Sequence, residues 1–151
     1  MLNDYLTPDT VLFATDVDGW RDAIERVAAP LLESGAIERR YIDAMIDSIA
    51  KGGTYIDLGY GIALAHARPE SGVIETGLSF LRVSPPVLLN DEAEHPIDLF
   101  FCLAANDQGG HLATMAELAT LLTNDDLRTQ LLAATTSAEV STVIQEIGNQ
   151  E

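Results

Sequence analysis

Three histidines, one cysteine and a small set of cations are the side chains of this 151-residue chain with the widest chemical range. His66 lies in "GIALAHARPE", Gly61 to Glu70, where an apolar run stops at an imidazole between two alanines and a turn comes next. A neutral imidazole is a competent nucleophile near neutral pH, because its unperturbed pKa is about 6.5. Ala65 and Ala67 would not crowd a large incoming group, and Arg68 could pair with an anion such as a phosphoryl oxygen. An ordinary histidine at a strand end fits the same spacing.

His111 lies in "NDQGGHL", at or near the first turn of a helix that follows an apolar strand. Gly109 and Gly110 would let the backbone turn tightly there. A helix start offers unpaired N–H groups and the positive end of the dipole. Two histidines on neighbouring loops could then act as nucleophile and as donor to a transferred anion, although His111 as a simple helix cap remains open. His95, in the acidic stretch "NDEAEHPID", reads as a solvated loop residue. Cys102 sits mid-run in "IDLFFCLAA" and reads as core, since a free cysteine behaves as a small hydrophobe. A metal set of Asp107, His111 and His66 is conceivable. The chain has no HExxH or CxxC pattern, no G-x-S-x-G elbow and no Walker loop to accompany it.

These residues need a scaffold, and the pattern outlines one. Apolar residues make up 47% and charged residues 21%, a globular composition of a size that suits one domain, residues 1–151. Trp20, Ile24, Val27 and Leu31 repeat at helical spacing from about Asp18, and Gly35 is placed to cap that helix. A second helix runs through "IERRYIDAMIDSIAK", with Ile42, Met45, Ile46 and Ile49 as its stripe, until Gly52 and Gly53. Then come strand candidates "TYIDLG", "GIALAHA", "GLSFLRVS" and "IDLFFCLAA", the last apolar enough to be central. Helical periodicity returns in "HLATMAELATLL" (Leu112, Met115, Leu118, Ala119, Leu122), in "NDDLRTQLLAA" capped by Asn124, and in "SAEVSTVIQEI" from Ser137 (Val140, Ile144, Ile147). Helices, strands, then helices predict an α/β or α+β fold: a single mixed sheet of about four or five strands with helices on both faces.

The formal charge of −16 excludes the basic footprint that nucleic-acid binding needs and disfavours an anionic bilayer. It suits rapid association with a basic patch on a partner protein. One cysteine, no basic–apolar leader and no long apolar segment predict a cytoplasmic protein in a reducing compartment.

The motifs together resemble the enzyme IIA proteins of the bacterial phosphoenolpyruvate-dependent phosphotransferase system, mannitol/fructose type, and within it the ascorbate branch. The family's active-site stretch runs roughly G-I-A-x-P-H-A-R-P-E-x-G-V; here Gly61 to Val73 read "GIALAHARPESGV". The leading helices "WRDAIERVAAPLLESGAIERRYIDAMI" and the block "LFFCLAANDQGGHLATMAELATLL" match as well, so the resemblance covers nearly the whole chain. Ala65 departs from it, standing where the family usually has proline. The resemblance implies that His66 accepts a phosphoryl group, on Nε2, from the phosphohistidine of HPr and passes it to a IIB component. It implies that His111 steadies the phosphoryl oxygens, with Arg68 in support, and that a membrane IIC transporter then takes up an ascorbate-like sugar. No cofactor or metal is expected. The other reading on the same scaffold is a regulatory protein whose His66 phosphorylation state controls a transcription regulator or enzyme.

Overall fold

A computed structural model describes residues 5–106 and 108–149; within that range, the side chains of 108–111 and 147–149 are outside the description. The elements run β1 (Val11–Ala14), α1 (Gly19–Ser34), α2 (Arg39–Ala50), β2 (Asp57–Gly59), β3 (Ile62–Ala65), β4 (Gly77–Leu88), β5 (Pro96–Ala104), α3 (Gln108–Thr123), α4 (Asp125–Ala133) and α5 (Ser137–Asn149). The strands form one mixed sheet in the order β1-β4-β5-β3-β2. The β1/β4 and β3/β5 pairs are parallel, and the β4/β5 and β2/β3 pairs are antiparallel.

Period-2 alternation divides the sheet between two apolar layers. From β5, Phe100, Cys102 and Ala104 join Trp20, Ile24, Val27, Tyr41, Ile42 and Met45 of α1 and α2. Leu99, Phe101 and Leu103 join Leu118, Leu121, Leu127, Leu131, Val140 and Ile144 of α3 to α5. Strand β5 is therefore central and covered on both faces, which is why it is almost uninterruptedly apolar. Near its start, the amides of Asp98 and Leu99 both donate to the Gly61 carbonyl, at 2.8 and 3.0 Å. On the first face the Ser79 hydroxyl of β4 donates to the Val27 carbonyl, tying α1 to the sheet.

The helix boundaries reflect local chemistry. Gly35 takes the left-handed conformation that ends α1, with φ of 83°. The Asn124 side chain accepts from the Leu127 amide at 3.0 Å and starts α4.

Several elements differ from the sequence reading. Strand β1, "VLFA", is added at the edge; four residues are too few for an alternation signal. "TYIDLG" is a 3₁₀ turn, Thr54–Ile56, followed by a strand of only three residues. Strand β4 extends past "GLSFLRVS" to Leu88. Its Pro85 and Pro86 are tolerated because they lie beyond the end of β1 and within the register irregularity opposite β5. Gly109 and Gly110 lie inside α3 and not in a turn before it. In that helix the buried positions among the described side chains are Thr114, Glu117, Leu118 and Leu121, whereas Leu112 and Ala119 of the expected stripe are exposed. An apolar residue on almost every face of α3 leaves its rotation to be set by the sheet.

Candidate functional site

Strands β3 and β5 run parallel and end side by side, with Ala65 opposite Cys102. The segments that leave the two strands therefore come out at one end of the sheet: His66 directly after β3, and the Ala104–Asn106 stretch leading to α3 after β5. His111 is the fourth residue of α3, in its first turn; its side chain, like the whole of Asp107, lies outside the described residues. Of the conceivable metal set, only the His66 side chain is described.

His66 is half-buried, and its Nδ1 lies 2.8 Å from the carbonyl oxygen of Leu64. A carbonyl only accepts, so Nδ1 carries the proton. In the neutral ring the lone pair is then on Nε2, which makes Nε2 the nucleophilic atom. The strand's own backbone thus selects the tautomer. Tyr55 stands edge-on to the imidazole, ring centroids 6.2 Å apart at 77°, and is 68% exposed.

The backbone leaving His66 is held by Tyr41, a residue the sequence reading did not single out. Its hydroxyl accepts from the Ala67 amide at 2.9 Å and donates to the Leu103 carbonyl at 2.7 Å. One buried phenol therefore bridges the exit of β3 to the end of β5. Burial, and secondarily the Cys102 thiol nearby, push its ionisation well above the usual range, so the hydroxyl keeps its proton and remains a donor. The available signal was a tyrosine on the apolar stripe of α2, since a buried phenol needs a partner.

The loop after Ala67 is fastened to the start of α2. The Glu38 amide donates to the Gly72 carbonyl at 2.9 Å, Arg40 Nη1 to the Glu70 carbonyl at 2.8 Å, and the Ile74 amide to the Ala36 carbonyl at 2.8 Å. Beside the end of β5, the Thr76 hydroxyl donates to Asn106 Oδ1 at 2.8 Å, which joins the start of β4 to the turn before α3. Arg68 is exposed and makes no ion pair among the described residues. Its guanidinium is available to an incoming anion.

Two sequence readings need correction. Ala65 is completely buried in the α1–α2 layer, so its small size serves core packing and not access to the ring. His95 is no solvated loop residue. Its Nδ1 pairs with Asp57 Oδ2 at 2.8 Å, and that carboxylate raises the imidazole pKa. The pair joins the edge strand β2 to the segment before β5, at the end of β5 remote from His66. Cys102 is fully buried, and burial pushes its thiol up to about 12.

Among the described residues, no helix is long and apolar enough to cross a membrane. The family model for the phosphoenolpyruvate-dependent sugar phosphotransferase system, EIIA 2, matches residues 4–147. A mannitol-specific cryptic phosphotransferase enzyme IIA component of Escherichia coli K12 is 32% identical over 145 residues, covering 95% of this chain and 97% of that one. An ascorbate-specific EIIA component of Shigella flexneri is 28% identical over 145 residues, covering 95% and 94%. The solution structure of the mannitol-specific cryptic enzyme IIA from Escherichia coli superposes with a TM-score of 0.87 at 30% identity, over 96% of this chain and 98% of that one.

Proposed function

The chain belongs to the EIIA 2 family of the phosphoenolpyruvate-dependent sugar phosphotransferase system and is a phosphoryl-transferring component of it; from that premise we propose that His66 is its phosphoryl carrier, through Nε2. The observation that carries the assignment is the Nδ1–Leu64 carbonyl contact, which leaves the lone pair on the opposite nitrogen. The donor is HPr, and the acceptor is a IIB component that serves a membrane IIC transporter. A solved relative, the Escherichia coli mannitol IIA, is described in complex with phosphorylated IIB.

In the forward step Nε2 attacks the phosphorus of the donor's phosphohistidine, and the P–N bond to the donor breaks. The phosphoryl group arrives on Nε2 while Nδ1 keeps its proton on the Leu64 carbonyl, so no proton has to leave the ring. Catalysis of such transfers is mostly positioning and stabilisation of charge on the equatorial oxygens. Tyr41 supplies positioning by holding the Ala67 amide. His111, carried on the first turn of α3, and the exposed Arg68 are proposed to face the phosphoryl oxygens. Transfer to IIB reverses the bond changes.

Docking is served by the apolar side chains exposed around the same end of the sheet, Tyr55, Ile74 and Leu112, at 68, 59 and 63% exposure. The chain's charge of −16 favours partners with a basic rim. The proposed location is the cytoplasm, and the proposed sugar is ascorbate-like.

The test is phosphoryl transfer in vitro. The protein is mixed with phosphoenolpyruvate, enzyme I and HPr, and intact mass is read for an acid-labile gain of one phosphate. The gain is expected in wild type, absent in His66→Ala, and slowed or short-lived in His111→Ala. A full gain in His66→Ala would overturn the assignment.

A further inference from the structure

At the opposite end of the sheet from His66 lies an open cleft of about 410 Å³. Its floor is Phe13 and Thr15 at the end of β1 with Arg82 and Ser84 of β4; its wall is the α4–α5 connection, Leu132 to Thr135. Alternation along β4 places Leu81 and Val83 in the α1–α2 layer, so Arg82 projects to the other face, beside Phe13, its register partner. The cleft volume falls in the range of small-molecule sites, about 300–1,000 Å³.

The charge on Arg82 is unmatched among the described residues. Five of the eight cations, Arg26, Arg39, Arg40, Lys51 and Arg128, sit in ion pairs, and Arg21 lies over the Trp20 ring at 4.5 Å. Among the described residues, only Arg68, at the phosphoryl site, and Arg82 have neither kind of partner. Arg82 Nε is moreover buried with no hydrogen-bond partner, an expensive state for a donor in a chain with 24 acidic residues. The carboxylates flanking the cleft are engaged elsewhere: Asp16 with Arg26, and Glu139 with the hydroxyls of Thr135 and Thr136. The hydroxyls of Thr15 and Ser84 are exposed at the cleft and remain available as donors. Phe13, 38% exposed and edge-on to Phe80 at 5.9 Å, makes part of the floor apolar.

We propose that this cleft binds a small oxyanion, a carboxylate- or phosphate-bearing metabolite, through the Arg82 guanidinium with Thr15 and Ser84 as further donors and Phe13 against its apolar part. A guanidinium matches both oxyanions by its planar fork, so the chemistry is shared and the source is separable by experiment. Bound there, the metabolite leaves the His66 end of the sheet uncovered, so it does not compete with phosphoryl transfer at the proposed carrier site.

The test is a ¹H–¹⁵N titration of the full chain, at constant ionic strength, with inorganic phosphate in one arm and benzoate in the other, including the Arg82 Nε–Hε resonance. Saturable shifts at Thr15, Arg82, Ser84 and Thr135 are expected, with Kd below about 10 mM. Saturation by phosphate alone assigns a phosphate-bearing ligand, by benzoate alone a carboxylate with an apolar body, and by both a general oxyanion site. Arg82→Gln is expected to weaken binding at least about tenfold. Ala133→Glu, an exposed position on the cleft wall, keeps Arg82 but supplies a competing carboxylate, and is expected to abolish binding even if Arg82→Gln folds poorly. No saturation in either arm, shifts confined to Ala67 and Arg68, or binding unchanged in Ala133→Glu would overturn the proposal.

Discussion

Tyr41→Phe removes one oxygen and keeps the ring, so it isolates the hydroxyl that bridges the two strand ends. The side chain is 1% exposed, and the substitution opens no sizeable cavity. It leaves the Leu103 carbonyl without its 2.7 Å donor and the Ala67 amide without its 2.9 Å acceptor. A buried group left unsatisfied costs about 1–3 kcal/mol, and Ala67 is only half-buried, so the sum is about 2–3 kcal/mol. For a chain of this length that lowers Tm by roughly 4–12 °C. Trp20, the only tryptophan, is buried in the same layer, so urea unfolding followed by its fluorescence reads the change directly.

The functional loss should be separable from the stability loss. Freed from Tyr41, the Ala67 amide no longer fixes the backbone leaving His66, and the ring need not stay over the Leu64 carbonyl. A displacement of about 1 Å at a reacting group can cost up to about 100-fold in rate. We expect phosphorylation by the phospho-donor to slow about 10- to 100-fold in Tyr41→Phe, measured well below its Tm. Ile42→Val, in the same core but not in the bridge, should cost about 0.5–1.5 kcal/mol and leave the rate within about twofold. Equal rates in wild type and Tyr41→Phe, with the stability loss present, would refute the positioning role.

Three other contacts each carry an expected outcome. Gly72→Ala forces a side chain into a backbone with φ of 134°, where the added carbon would meet Arg40 Cγ at 3.1 Å and the Tyr41 amide nitrogen at 3.2 Å. It should cost about 1–3 kcal/mol in urea unfolding, and a neutral result would show that the loop–α2 fastening is loose. His95 has a folded pKa raised by Asp57 above 6.5, so the pair's contribution is complete below the unfolded pKa and is lost as pH rises through the folded one. The stability difference between wild type and Asp57→Asn should therefore be larger at about pH 6 than at about pH 8.5, and no such narrowing in paired urea titrations would contradict the raised pKa. Cys102, fully buried with its thiol held up to about 12, should react with a thiol-specific disulfide reagent only on unfolding, and prompt labelling of the native chain would exclude the buried assignment.

The sequence alone determined the existence of the helices α1 to α5, the central strand and the choice of His66 as the candidate carrier. Each rests on local information: an apolar stripe at helical spacing, a capping Gly35 or Asn124, an unbroken apolar run, or a motif of contiguous residues from Gly61 to Val73. Tertiary structure alone decided which groups surround that histidine. The tautomer depends on where the Leu64 carbonyl falls when the chain turns, and the bridge depends on Tyr41 meeting Ala67 and Leu103, 26 and 62 residues away. The pairing of His95 with Asp57 spans 38 residues, so a polar loop composition could not reveal it. The same holds for the rotation of α3, where the helix is apolar on nearly every side and only packing against the sheet selects the buried one. Contacts between distant segments are chosen by which arrangement satisfies buried donors and fills the core, and that sum is taken over the whole fold.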